Sequence, residues 1–134
     1  EYAPVSLADR KKLKGFLEQI FRKEKKKLHS LHYIFCSDEY LLQINKDFLN
    51  HHYSTDILTF ELSTVPASIQ GEIYISIERV KENAAHMQTS FKNELHRVIF
   101  HGALHLCGYN DKLKEEIITM RKKEDRLLDL YFNK

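Results

Sequence analysis

The segment SFKNELHRVIFHGALHLCG, Ser90 to Gly108, constrains the fold more than any other part of the chain. Its apolar residues recur at spacings of three and four, the period of a helix with one buried stripe. With Leu95 at the centre of that stripe, Val98, Ile99, Gly102 and Leu106 cluster around it. A stripe of this kind must be covered, so the segment predicts a central helix packed on the rest of the protein. Ser90 is suited to cap its start. Gly108 is suited to stop it, because glycine takes the left-handed conformation at a helix C-terminus without steric cost.

The flanking segments predict what covers that stripe. LADRKKLKGFLEQIFRKEKKKL, Leu7 to Leu28, has helical spacing, and LHYIFCS from Leu31 is a short aromatic and branched run that favours strand. SDEYLLQINKDFL predicts a helix capped by Ser37 or Asp38 and ending before a loop at His51 and His52. DILTFEL from Asp56 and GEIYISI from Gly71 alternate as strands do, with STVPASIQ between them as a loop. ERVKENAAHM from Glu78 and KLKEEIITMRKKEDRLLDLYF from Lys112 are helical. The order predicts an α+β fold, a small mixed sheet with helices packed on it. The 134 residues fit one domain, 1–134.

Composition narrows the setting. No apolar run approaches the roughly 18 residues of a membrane span, and EYAPVSLADRKKLKGF has no apolar core behind its charges. No membrane partner and a cytoplasmic location are therefore expected. Cys36 and Cys107 are too few for a disulfide scaffold and are expected to be reduced. The net charge of +2 says little about partners, but Arg10 to Lys27 holds nine Lys and Arg against Glu18 and Glu24. That run is either a phosphate-facing surface or the solvated face of an amphipathic helix.

HGALHLCGYND, from His101, carries the chemistry. Residues four apart lie one turn apart on the same side of a helix, so His101 and His105 can chelate one ion beside the buried stripe. After the turn at Gly108, Asp111 can return its carboxylate as a third ligand. Two imidazoles and one carboxylate leave a fourth position open, as in catalytic rather than structural zinc sites. The alternative is a pair of ordinary surface or core histidines; on the metal reading one zinc ion is the expected cofactor, with nickel or another divalent transition metal as alternatives. Cys107 points to another face and reads as a small buried hydrophobe.

The spacing is that of a zinc protease, H-E-x-x-H, except that the catalytic glutamate is replaced by Gly102. Glu94, two turns before His101, is the one candidate for a base. Its alternative is a structural pairing with Arg97 or with a ligand's second nitrogen.

The stretch resembles the YbeY-type endoribonucleases and rRNA maturation factors, whose motif runs H-G-x-L-H-L-x-G-Y-D-H. It matches at His101, Gly102, Leu104, His105, Leu106, Gly108 and Tyr109. STDILTF from Ser54 is similar to the family's P-T-D-V-L-S-F, GEIYIS from Gly71 to G-D-I-x-I-S, and INKDFL from Ile44 to L-N-x-x-Y-R. Met120 and Glu124 stand where the family has M-x-x-x-E. The resemblance spans roughly residues 40 to 128.

Two positions depart from it. The family's third ligand, a histidine, is Asp111 here, preceded by Asn110 in place of an aspartate. Aspartate is a legitimate ligand, so the site keeps its donors with one more negative charge. The family's arginine, which contacts RNA or developing phosphate charge, falls at Leu49, so either His51 or His52 replaces its function or this member cleaves weakly; the alternative for that pair is an exposed loop.

The resemblance implies a metal-dependent endoribonuclease for single-stranded RNA. It would act in late rRNA maturation, at the 16S rRNA 3′ end, and in ribosome quality control, with rRNA and the small ribosomal subunit as partners. Two alternatives carry different predictions: a non-catalytic ribosome-assembly factor that keeps the metal site, and a zinc protease.

Overall fold

The computed structural model describes residues 9–49, 55–63 and 68–133. In chain order these form α1 (Arg10–Lys23), β1 (Lys27–Cys36), α2 (Asp38–Leu49), β2 (Ile57–Glu61), β3 (Ser68–Ser76), α3 (Ile77–His86), α4 (Phe91–Leu106) and α5 (Lys114–Phe132). The fold is α+β with a mixed sheet, as the element order predicts. The strands lie in the order β1-β3-β2, with β1 parallel and β2 antiparallel to the central β3. The loop expected at His51 and His52, and Pro66 in the second loop, lie outside the described residues.

Three boundaries stand out against the sequence expectation: the end of α1, the start of β1, which lies at Lys27 rather than Leu31, and the start of β3. Helix α1 stops at Lys23 rather than reaching Leu28, because the chain takes a positive φ of 60° at Lys25. The Lys25 N–H then donates to the Arg22 carbonyl and the Lys26 N–H to the Phe21 carbonyl, the paired bonds of a Schellman stop. A lysine fills a position usually marked by glycine, so the sequence carries no stop signal there. Strand β3 begins at Ser68, three residues before Gly71, and takes the end of the expected loop into the sheet. Ile69 is buried there and pairs with Leu28 of β1.

Strand alternation sends the two faces of the sheet to different helices. Ile73 and Ile75 of β3 face a large core built with α1, α3, α4 and α5, and α4 carries most of its own length into that core. Leu58 of β2 and Cys36 of β1 face the opposite way, against Leu41 and Ile44 of α2, with Phe60 and Tyr74 packed beside them.

Two glycines let α4 lie close to the sheet. A Cβ on Gly102 would come 2.8 Å from Ile73 Cδ1 and 3.1 Å from Ile57 Cδ1, and one on Gly71 would come 2.6 Å from Leu106 Cδ1. The residue after the first histidine is therefore dictated by packing. Its side chain would enter the sheet and not the site, so the protease glutamate has no room at this position.

Candidate metal centre

The last turns of α4, the start of β2, the chain after α4 and the middle of α5 enclose a cleft of about 730 Å³. His101 and His105 project into it from α4 with ring centroids 4.9 Å apart. Helix α4 is capped by Ser90, whose Oγ accepts from the Asn93 N–H at 3.0 Å, as the sequence predicts. It ends at Leu106, where Gly108 takes φ 109°. The Gly108 N–H donates to the His105 carbonyl and the Tyr109 N–H to the Leu104 carbonyl, closing the helix with a second Schellman pair.

The segment that returns Asp111 is fixed at both ends. On one side the Tyr109 hydroxyl donates to Glu24 Oε1 at 2.9 Å, and Lys123 lies 4.8 Å over the Tyr109 ring. On the other, Glu116 Oε1 accepts from the N–H groups of Lys112 and Leu113 at 3.2 and 2.9 Å, which caps α5. Asp111 Oδ2 thereby sits 3.1 Å from His101 Nε2, and Oδ1 sits 3.3 Å from His105 Nε2. A tetrahedral ion with bonds of about 2.1 Å holds neighbouring ligand atoms about 3.4 Å apart. One donor atom from each of His101, His105 and Asp111 lies within 4.8 Å of the others, so the group can hold a metal ion.

Glu124 of α5 completes the arrangement. Its Oε2 accepts from His101 Nδ1 at 2.5 Å, so Nε2 is the ring nitrogen that faces Asp111 and would serve a metal. Burial pulls the His101 pKa down, but the hydrogen bond and charge of Glu124, then Asp111 and Asp56, outweigh it and leave the imidazole above its ordinary range. Glu124 is itself buried and is held on its other oxygen by Arg97 Nη1 at 3.1 Å.

Glu94, the candidate base, is buried in the cleft wall, and its Oε1 lies 3.8 Å from Arg97 Nε. Arg97, the partner that the structural alternative names, stands beside it, with no hydrogen bond between Oε1 and Nε. The ligand's second nitrogen goes to Glu124 instead. Burial raises the Glu94 pKa, opposed by Arg97. Cys107 is buried away from the cleft, and burial pushes its thiol up to about 12, so it stays protonated. Leu49 ends α2, and its side chain, like His51 and His52, lies outside the described residues.

Three further residues shape the cleft and carry no site role by spacing alone. Arg97 joins Glu94, Glu124 and, at 2.7 Å, Asp125. Asp56 lines the cleft just before β2 and accepts from Asn83 Nδ2 at 3.3 Å, and burial raises its pKa against the pull of His101. Glu124 reaches His101 only because α5 folds back along α4. The sequence signal that could have flagged Glu124 is its place in the M-x-x-x-E match.

Comparison with known proteins accords with this geometry. The family model described as endoribonuclease YbeY matches residues 4–131. An endoribonuclease YbeY of Cytophaga hutchinsonii is 53% identical over 130 residues, covering 97% of this chain and 91% of the relative. That of Flavobacterium psychrophilum is 45% identical over 117 residues, covering 87% and 83%. Among solved structures, the solution structure of TM1509 from Thermotoga maritima superposes with a TM-score of 0.62 at 28% identity, covering 96% of this chain and 86% of that one. With the match running through the histidine pair, its glycine stop and the returning loop, the chain belongs to the endoribonuclease YbeY family.

Proposed function

We propose that this protein is a metal-dependent endoribonuclease that cleaves single-stranded RNA, acting in late rRNA maturation at the 16S rRNA 3′ end and in ribosome quality control. In this reading His101, His105 and Asp111 hold one divalent ion, zinc first and nickel or another transition metal next. The observation that carries it is the donor set with its partner. Both imidazoles converge on one carboxylate, and Glu124 orients His101 toward the same point.

When bound, such an ion supplies Lewis acidity, lowering the pKa of a coordinated water toward about 7 and neutralising phosphoryl charge. The protein's own part is to keep His101 in the tautomer that offers Nε2, through Glu124, and to fix Asp111 between the Tyr109 anchor and the α5 cap. The exposed mouth of the cleft suits an unpaired strand, whose bases and backbone can enter where a duplex cannot. RNA of the small ribosomal subunit is the proposed partner, in the cytoplasm. No helix among the described residues is long and apolar enough to cross a membrane.

Cleavage of a labelled single-stranded RNA but not its duplex, abolished by chelation and restored by zinc, is the expected result. Equal cleavage of strand and duplex, or insensitivity to chelator, contradicts the proposal. A second reading, a non-catalytic ribosome-assembly factor that keeps the metal, is favoured by Leu49 at the family's arginine position. It predicts metal and subunit binding without cleavage. A zinc protease is opposed by Gly102, whose neighbours leave no room for a glutamate.

A further inference from the structure

We propose that Arg121 of α5 contacts the phosphodiester backbone of bound RNA, supplying the cation that Leu49 does not. This rests on the RNA-cleaving reading above.

The cleft needs such a group. Among the described residues that line it, four carboxylates (Asp56, Glu94, Asp111 and Glu124) face three cations (Arg97, Lys112 and Arg121). A divalent ion brings that balance to one positive charge, and without Arg121 it falls to neutral. A polyanion would then meet no net attraction at the site.

The three cations are not equivalent. The Arg97 guanidinium is 14% exposed, faces Glu94 and bonds Glu124 through Nη1 and Asp125 through Nη2, so its charge is already committed to the wall of the cleft. Lys112 is exposed on the loop before α5 and offers a point charge on a flexible stem. Arg121 is 48% exposed, and its recorded ion pair is a loose one, 3.7 Å from Glu124 Oε1. It stands between Met120 and Glu124, which both line the cleft, on a helix that fixes where its stem begins. A planar fork with free donors, held beside the candidate metal ligands, matches the bidentate geometry of a phosphate.

The test uses the metal-loaded protein, a labelled single-stranded RNA, and Arg121→Gln, Arg121→Lys, Arg126→Gln and His105→Ala. Arg126 lies on the same helix outside the cleft and controls for overall charge. Arg121→Gln is expected to weaken binding, to lower the slope of log affinity against log salt by about 0.7, the share of one phosphate contact on a single strand, and to slow single-turnover cleavage by about 10- to 100-fold. Arg121→Lys recovers the slope but only part of the rate. Arg126→Gln tracks wild type.

An unchanged slope and rate in a folded Arg121→Gln overturns the assignment, as does an equal loss in Arg126→Gln. If the wild type matches His105→Ala in showing no cleavage while Arg121→Gln still loses its share of the salt slope, the RNA-cleaving reading fails and the phosphate contact stands.

Discussion

Replacing Glu124 with Gln changes one charge at nearly constant shape, and its consequences can be worked from the contacts. Glu124 is 4% exposed, with Oε2 taken by His101 Nδ1 at 2.5 Å and Oε1 by Arg97 Nη1 at 3.1 Å. A glutamine has one acceptor oxygen, so it serves His101 or Arg97 but turns its NH2 group toward the other. Either way His101 loses an anionic partner on Nδ1, and Nε2 becomes a weaker donor to metal. Losing a partner of this kind costs about 10- to 100-fold in metal affinity, or about 1.4–2.7 kcal/mol.

The metal-free protein carries a pH signature of the same pair. The folded His101 pKa lies above its ordinary 6.5, so the stabilisation from the charged pair is fully present below about pH 6.5. It is lost as pH rises through the elevated folded value, and Glu124→Gln flattens that dependence. The assay is zinc competition against a chromophoric chelator at pH 7.5, with circular dichroism confirming the fold. A folded Glu124→Gln that binds zinc as tightly as wild type refutes the idea that Glu124 orients a ligand.

Three other substitutions probe separate parts of the account. Gly102→Ala gains about 1 kcal/mol of helix propensity but forces a methyl against the fully buried Ile73, whose Cδ1 and Cγ2 lie at 2.8 and 3.0 Å. With an overpacking cost of about 1–3 kcal/mol, a lower urea midpoint is expected, and a raised one would show that α4 can move off the sheet. His96 is buried against Tyr131 and Phe132, and burial lowers its pKa below 6.5, offset in part by its bond to the Lys92 carbonyl. The unfolded chain therefore takes up a proton that the folded one refuses, and this contribution is lost as pH falls below about 6.5. His96→Phe should lose less stability than wild type between pH 7.5 and 5.5, and equal losses would count against a neutral buried imidazole. Glu94→Gln should cleave RNA at close to the wild-type rate, because Glu94 pairs with Arg97. A fall of about 10²- to 10⁴-fold would instead mark it as the general base.

What was legible in the sequence followed local rules. The stripe through Leu95, Ile99 and Leu106, the Ser90 cap and the Gly108 stop are encoded within a few residues of where they act, and the helix forms as they predict. Spacing alone also brought His101, His105 and Asp111 to one place. Features set by tertiary contact were not legible. Lys25 adopts a conformation that its residue type does not advertise, so the helical spacing runs past the true end of α1. Ser68 to Gln70 look like loop, yet β1 recruits them as the start of the central strand. The strand order β1-β3-β2 is set by pairing between strands far apart in the sequence. Glu124 became a partner of His101 only through the docking of a helix 23 positions further along the chain.

Metal dependence of RNA cleavage is tested by measuring metal content and cleavage in the same preparation. Wild type and His105→Ala are purified without added metal, assayed for bound zinc, nickel and other divalent ions, and incubated with a transcript of the 16S rRNA 3′ region. About one equivalent of divalent metal and cleavage are expected in wild type, with both lost in His105→Ala. Identical cleavage patterns for the two proteins, or cleavage by wild type free of metal, would contradict it.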